Sequence, residues 1–324
     1  MRALLCRAFG PLDALEVAEL PMPQPGPSDV LVRVEAAGLN FPDALLVQGR
    51  HQLKPPLPYV PGLEFAGVVE ACGDDVRGLP PGAPVFGRAE GGALAAYCRV
   101  PAAHVVRRES SVPAEVAAAS VVTYATALHA LTTRAQLAPG ETLLVLGAGG
   151  GTGSAAVEVG RELGARVVAA ASDERKLAIA AGLGAAVTID YSREDLRERL
   201  KAVTGGAGVD VVFDPVGGTI TEPALRSLGW RGRLLVVGFA AGQIPSVALN
   251  LALLNSRSIL GVFLGDWFKH HPADEQATLA RLAAWLAEGR LHPPVTRRVA
   301  LEDVPQALDD LLARRVAGKI VAIP

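Results

Sequence analysis

The run Gly147-Ala148-Gly149-Gly150-Gly151-Thr152-Gly153-Ser154 follows directly on the apolar segment Thr142-Leu143-Leu144-Val145-Leu146 and opens a helical stretch reaching Leu163. Glycines in such a turn let backbone approach a pyrophosphate closely, and the free N–H groups at the helix start meet its negative charge. A glycine pattern alone is a weak sign. Strand, turn and helix in that order point to a dinucleotide site, the alternative being a tight turn with no ligand. The choice of nicotinamide dinucleotide falls at the end of the next strand, where an Asp or Glu would hold the ribose hydroxyls. Here the chain reads Ala170-Ala171-Ser172. Ser172 can donate to a 2′-phosphate, and Lys176, with Arg175 beside it, can pair with its charge, a contact worth about 1.5–3 kcal/mol or roughly ten- to a hundredfold in preference. NADPH is therefore expected over NADH. Asp173 and Glu174 act against it, and a solvated helix face is the other reading of Arg175 and Lys176.

Metal and disulfide chemistry find little support. Cys6, Cys72 and Cys98 are scattered, odd in number and form no C-x-x-C pair, so neither a disulfide framework nor a zinc cluster is expected. His270 and His271 adjoin without further donors and read as a solvated loop. A net charge of −2 with 20% charged residues fits a soluble globular protein and does not advertise nucleic acid. The uncharged stretches 116–133 and 234–256 are broken by polar residues or by Gly242 and Pro245, so neither reads as a membrane span. The short apolar start is too brief for a secretory signal, and a cytoplasmic protein is expected.

These residues need positioning elements. At 324 residues two domains are the natural prior. The first hundred residues carry short β-like runs, Ala3 to Ala8, Val30 to Glu35 and Phe65 to Cys72, between Pro and Gly clusters, an irregular β domain. From Glu141 apolar strands alternate with amphipathic helices: Thr142 to Leu146, Arg166 to Ala171, Ala186 to Asp190, Val209 to Asp214, Arg233 to Gly238 and Ser258 to Phe263. Such alternation demands a parallel sheet covered on both faces, an α/β doubly wound layout. A tail follows, with a helix at 273–288, a strand at 296–300, a helix at 304–314 and a strand at 319–323, and is expected to complete the first domain. The predicted division is 1–120 with 265–324 against 121–264.

Several segments together resemble the zinc-free quinone oxidoreductases of the medium-chain dehydrogenase/reductase superfamily, relatives of zeta-crystallin. They are Ala36-Ala37-Gly38-Leu39-Asn40-Phe41-Pro42-Asp43, Val60-Pro61-Gly62-Leu63-Glu64-Phe65-Ala66-Gly67, Thr123-Tyr124-Ala125-Thr126-Ala127, the glycine turn, Asp214-Pro215-Val216-Gly217-Gly218 and Gly318-Lys319-Ile320-Val321. The resemblance implies a GroES-like catalytic domain built from both chain ends, a Rossmann domain between them, an active site in the cleft and a homodimer joined through the last Rossmann strand. It implies that Phe41, Pro42, Asp43, Thr126 and His129 line the nicotinamide side. Gly150, Gly151, Thr152, Gly153, Ser154 and Ala155 would hold the pyrophosphate. Ser172, Lys176 and Tyr191 would face the adenosine phosphate, with Gly238, Phe239, Phe263, Leu264 and Arg314 at further cofactor contacts.

Zinc-dependent relatives hold a metal at the places occupied here by Asn40, Leu63 and Val122, which make no zinc ligand set. Without a Lewis acid a developing alkoxide loses several kcal/mol of support. A quinone or an enone delocalises the added charge itself, leaving the protein to position the reactants and supply a few hydrogen bonds. Asn40 is the first candidate donor to a reduced oxygen, with Thr126 near the nicotinamide and Asp43 as an orienting or proton-linked group. Asn40 before Phe41-Pro42 also suits a helix cap, Asp43 suits the helix dipole, and His129 suits a buried core position. Relatives often carry Tyr where Leu45 stands, which leaves the acceptor side open. The rival functions are an NADPH-dependent enoyl reductase, for which no basic groove is visible in the N-terminal third, and a cofactor-binding protein with a structural or sensing role.

Overall fold

The computed structural model describes residues 1–324. Its first unit comprises Met1–Val122 and His271–Pro324, its second Thr123–His270. In the first unit, β1 (Arg2–Leu5) pairs antiparallel with β2 (Glu16–Glu19). The sheet is organised around β3 (Asp29–Gly38), flanked by β4 (Glu64–Cys72), and β4 leads outward to β5 (Pro84–Arg88). β6 (Tyr97–Pro101) lies along the first half of β3, and β7 (Val105–Arg107) along β5. The β-branched Val30, Val32 and Val34 recur at period two on β3 and are buried, and on the other face Leu31 and Ala37 are buried as well while Arg33 is exposed. β2, β5, β6 and β7 are strands the sequence did not announce. They are short, and Pro and Gly cut their alternation.

In the second unit β8 (Thr142–Leu146), β9 (Arg166–Ala171), β10 (Val187–Asp190), β11 (Val209–Asp214), β12 (Leu228–Val236) and β13 (Ser258–Gly261) form one sheet in the order β10-β9-β8-β11-β12-β13. Every pair in it is parallel. Leu143 to Leu146 are fully buried, as a strand with helices on both faces requires. β12 starts at Leu228 rather than Arg233, because Arg231 takes a positive φ of 58° and Trp230-Arg231-Gly232 hides the strand pattern. β13 stops at Gly261, since the helix Leu264–His270 begins directly after.

That helix belongs to the second unit, where Trp267 sets its ring 4.8 Å from His129 at 44°, so the first unit resumes only at His271 rather than at 265. The tail then supplies a helix Pro272–Ala287, β14 (Val295–Ala300), a helix Val304–Leu312 and β15 (Lys319–Ile323). β15 pairs antiparallel with the end of β3 and parallel with β14, so the C-terminus finishes the sheet that the N-terminus began. No helix is long and apolar enough to cross a membrane.

Candidate active site

The end of β3 delivers the chain into a helix, Phe41–Val47, with Pro42 in its first turn, where no N–H is needed. Asn40 precedes it and is buried, yet its side chain does not cap the helix. Its Nδ2 donates to Glu64 Oε1 at 2.8 Å and to Gly38 O at 3.3 Å, and its Oδ1 accepts from Lys319 Nζ at 2.8 Å. A carboxylate on one side and an ammonium on the other fix the amide orientation unambiguously. Both amide donors are therefore engaged. This arrangement, with the amide tied to Glu64, Gly38 and Lys319, suits a positioning part better than the expected donation to a reduced oxygen.

The network it serves is a buried ion pair. Lys319, 3% exposed, donates to Glu64 Oε1 at 2.7 Å and to Leu39 O at 3.0 Å, while Glu64, fully buried, also accepts the Val122 N–H at 2.6 Å. The pair joins β4 to β15, residues 255 apart in sequence. Sequence reasoning quoted both residues only as motif letters. A lysine directly before Ile320-Val321-Ala322 and a glutamate within an apolar run were the available signal, since such charges are almost never buried unpaired.

Asp43, at the third helical position, returns Oδ2 to the Asn40 N–H at 2.8 Å, the reciprocal arm of a capping box. Its Oδ1 is buried without a partner, and so is the hydroxyl of Tyr59. Burial first, then the charge of Glu64, push the Asp43 carboxyl up to about 7, against the N–H groups of Asn40 and Gly62 and the charge of Lys319. Burial and the nearby Asp43 likewise push Tyr59 up. Asp43 is thus a helix-start residue whose buried carboxyl is held well above the usual carboxylate range.

In the second unit the glycine turn follows the carboxyl end of β8. A Cβ on Gly149 would overlap the backbone of Lys176, and one on Gly153 would overlap Gly147 O, whereas Gly150 has room for one. Gly147 itself needs a positive φ of 61°. The first helical hydrogen bond runs from Ser154 N to Gly150 O, so the N–H groups of Gly151, Thr152 and Gly153 precede the ladder and remain for an anion. Ser154 turns its hydroxyl back to Ala148 O at 3.3 Å, and Ala155 is fully buried. These two shape the turn, and their side chains face the interior.

The remaining positions follow the other strands. Ser172 is exposed after β9, and Tyr191 follows β10 with its N–H on Ala171 O. Gly238 and Phe239 follow β12, and Phe263 and Leu264 follow β13. Every second-unit candidate except Thr126 and His129 therefore sits past the carboxyl end of a parallel strand or at the start of the next helix, where ligands bind in such sheets. Asp214, at the end of β11, shapes its turn by accepting from Val216 N, Gly217 N and Thr221 Oγ1. Lys176 is not idle: its Nζ lies 3.2 Å from Asp173 Oδ2. Burial raises the Asp173 carboxyl, but the hydrogen bonds from Lys176 and the charges of Lys176 and Arg175 outweigh it and hold the group below its usual range.

Thr126 lies on the helix Val121–Leu128, half-buried, and His129 is 5% exposed where that helix widens into a π-helical segment, His129–Arg134. Such widening is frequent at functional sites. Arg314 belongs to the first unit, ending the helix Val304–Leu312 with a positive φ of 57°.

Comparison with known proteins agrees with this geometry. Residues 26–113 match the alcohol dehydrogenase GroES-like domain and residues 151–285 the zinc-binding dehydrogenase domain. The chain is 37% identical over 322 residues to quinone oxidoreductase-like protein 2 of Mus musculus, covering 99% of this chain and 91% of that protein. It belongs to the quinone oxidoreductase-like medium-chain dehydrogenases. A quinone oxidoreductase of Pseudomonas aeruginosa is 33% identical, covering 98% of each chain. A mycobacterial protein solved with NADPH superposes with a TM-score of 0.92 at 30% identity, over the full length of both.

As a member of this family the chain is an oxidoreductase. The domain description names zinc, and the residues here do not fit one. Leu63 and Val122 carry no donor atom, Asn40 is engaged with Glu64 and Lys319, and no three His, Cys, Asp or Glu side chains converge anywhere in the chain.

Proposed function

We propose that this quinone oxidoreductase-like protein transfers a hydride from NADPH to a quinone or small enone without zinc. The observation that carries this reading is the glycine turn, whose Gly149 and Gly153 leave no room for side chains and whose helix start presents free N–H groups. Bound there, NADPH supplies the hydride. Gly150 to Gly153 hold its pyrophosphate. Ser172 and Lys176 take the 2′-phosphate, Lys176 sharing its charge between the phosphate and Asp173, and Tyr191 flanks the adenosine. Phe41, Pro42, Thr126 and His129 border the nicotinamide, with Gly238, Phe239, Phe263, Leu264 and Arg314 at further contacts. With no metal donors at Asn40, Leu63 and Val122, the acceptor must spread the incoming charge itself, which a quinone does. Asp43 holds a proton close to working pH, and Asn40 with the Glu64–Lys319 pair holds the Asp43 helix in place.

We further propose a cytoplasmic homodimer. The three cysteines are unpaired, as a reducing compartment would keep them. β13 is an edge strand of the six-stranded sheet, and Ile244, Leu249 and Leu253 are 73–80% exposed; an uncovered apolar edge suits a second copy of the same strand.

The deciding assay follows reduced-nicotinamide absorbance with a panel of quinones, enones and an enoyl thioester. It compares NADPH with NADH, with and without a chelator, in the wild type and in Lys176→Ala. Quinone turnover that prefers NADPH, survives chelation and loses about tenfold or more of its cofactor preference in the variant supports the reading. Loss of activity on chelation overturns the metal-free part, and reaction with the thioester alone overturns the acceptor.

A further inference from the structure

The second unit carries a pocket of about 320 Å³ that none of the cofactor positions touches. Its walls come from the turn 206–208 that leads into β11, from 226–230 at the start of β12 and from Asn255 and Arg257 just before β13. All strands of this sheet run parallel, so these are amino ends. The glycine turn, Ser172, Asp214 and Gly238 lie past carboxyl ends, on the opposite edge of the sheet. The pocket is therefore a separate place, and nothing about it depends on the proposed reaction.

Its charge is one-sided. Arg197, Lys201, Arg226 and Arg257 line it, against a single carboxylate, Glu198. Arg197 and Lys201 stand one turn apart on the helix Leu196–Val203, and neither side chain has a hydrogen-bonding or ion-pair partner. Arg226 is held by Glu222 at 2.7 and 2.9 Å. Arg257 is held entirely by carbonyls: Nε and Nη2 on Leu228 O at 3.1 and 2.7 Å, Nη2 on Arg226 O at 3.1 Å and Nη1 on Leu251 O at 3.4 Å. Its guanidinium is thereby fixed in place with its charge uncompensated. Burial, then the charges of Arg226 and Arg197, push it below its usual value, so an anion entering here relieves a standing repulsion. At the rim Trp230 is 71% exposed, a flat face on which an aromatic base can stack.

We propose that this pocket binds the phosphoryl groups of a small phosphorylated molecule, Arg197 and Lys201 making the direct contacts and the held guanidinium of Arg257 adding positive charge from the pocket wall. Two sources share that chemistry: a nucleotide, whose base would use Trp230, and a phosphate or sugar phosphate, which would not.

Calorimetric titration of the full-length protein at low salt separates them, with the cofactor site first filled by NADP⁺. The ligands are pyrophosphate, ribose 5-phosphate and AMP. Saturable binding of at least one of them is expected, weakened at least tenfold in Arg197→Glu/Lys201→Glu. Both residues are exposed, so that variant should melt with the wild type and keep its KM for NADPH within about twofold. AMP binding tighter than ribose 5-phosphate, and reduced to that level by Trp230→Leu, identifies a nucleotide. Equal binding of the two, unchanged in Trp230→Leu, identifies the phosphate alone. No binding of any of the three, or equal binding in wild type and double variant, overturns the proposal. Failure of NADP⁺ to bind in the first step would count against the proposed oxidoreductase reading and leave the pyrophosphate titration of this pocket intact.

Discussion

Replacing Asp43 by Asn should stabilise the protein at neutral and alkaline pH, by an amount that grows as pH rises to about 7 and levels off above it. The carboxyl is fully buried, with one oxygen unpartnered, and its pKa rises from 3.8 to about 7 on folding. A group raised in this way binds more protons folded than unfolded. Its contribution is fully present below 3.8 and is lost as pH climbs through about 7. At roughly 1.36 kcal/mol per unit, the ionised folded form costs about 4 kcal/mol above neutrality. The substituted amide would carry no charge and could still accept the Asn40 N–H, so the variant gives up only about 1 kcal/mol of charge-assisted hydrogen bonding. The net advantage is then about 3 kcal/mol at pH 8, about 0.7 kcal/mol at pH 5 and slightly negative at pH 4. Melting temperatures of both proteins measured across that range, and subtracted, remove every other titrating group from the comparison. The difference should grow by roughly 4 °C from pH 5 to pH 8. A flat difference curve, or one that falls with pH, would refute the argument that burial dominates this carboxyl.

Lys319→Met leaves Glu64 charged in the interior and should cost about 3–5 kcal/mol in urea unfolding; adding Glu64→Gln should recover a good part, because the charge that lacked a partner is gone. If the double variant is no better than the single, the pair does not act as a pair. Gly149→Ala must push a methyl group into the Lys176 backbone, so it should lower the melting temperature and abolish NADP⁺ binding, while Gly150→Ala melts with the wild type. Equal melting of the two would contradict the close approach of the turn to the next helix. Ile259→Lys, in the middle of the edge strand β13, should shift the mass measured by light scattering from dimer to monomer. An unchanged mass would place the interface elsewhere or show that there is none.

Read by itself, the sequence settles what is local and periodic. β8, β9, β11 and β15 were legible with their bounds because strands buried on both faces read as unbroken apolar runs. The phosphate turn was legible because its glycines answer a steric demand that only glycine meets. The nucleotide-binding layout follows from those two facts, whereas Tyr191, Gly238, Phe239, Phe263 and Leu264 were named only through the family resemblance.

What the sequence left open depended on residues that meet only in three dimensions. Asn40 could be read as a cap or as a donor; in the fold its backbone N–H takes part in the capping box with Asp43 while Glu64 and Lys319, brought beside it from β4 and β15, tie up its side-chain amide. Asp43 read as a helix-start or proton-linked residue, and its burial in the fold, then the charge of Glu64, raised its proton affinity toward neutral pH. Lys176 read as a phosphate ligand, and the fold set Asp173 against it. The basic pocket gathers residues from helix, turn and strand starts between 197 and 257, a grouping without any period along the chain. A hydrophobic pattern is written one residue after another, whereas desolvation and charge depend on distance through space, and folding alone sets those distances.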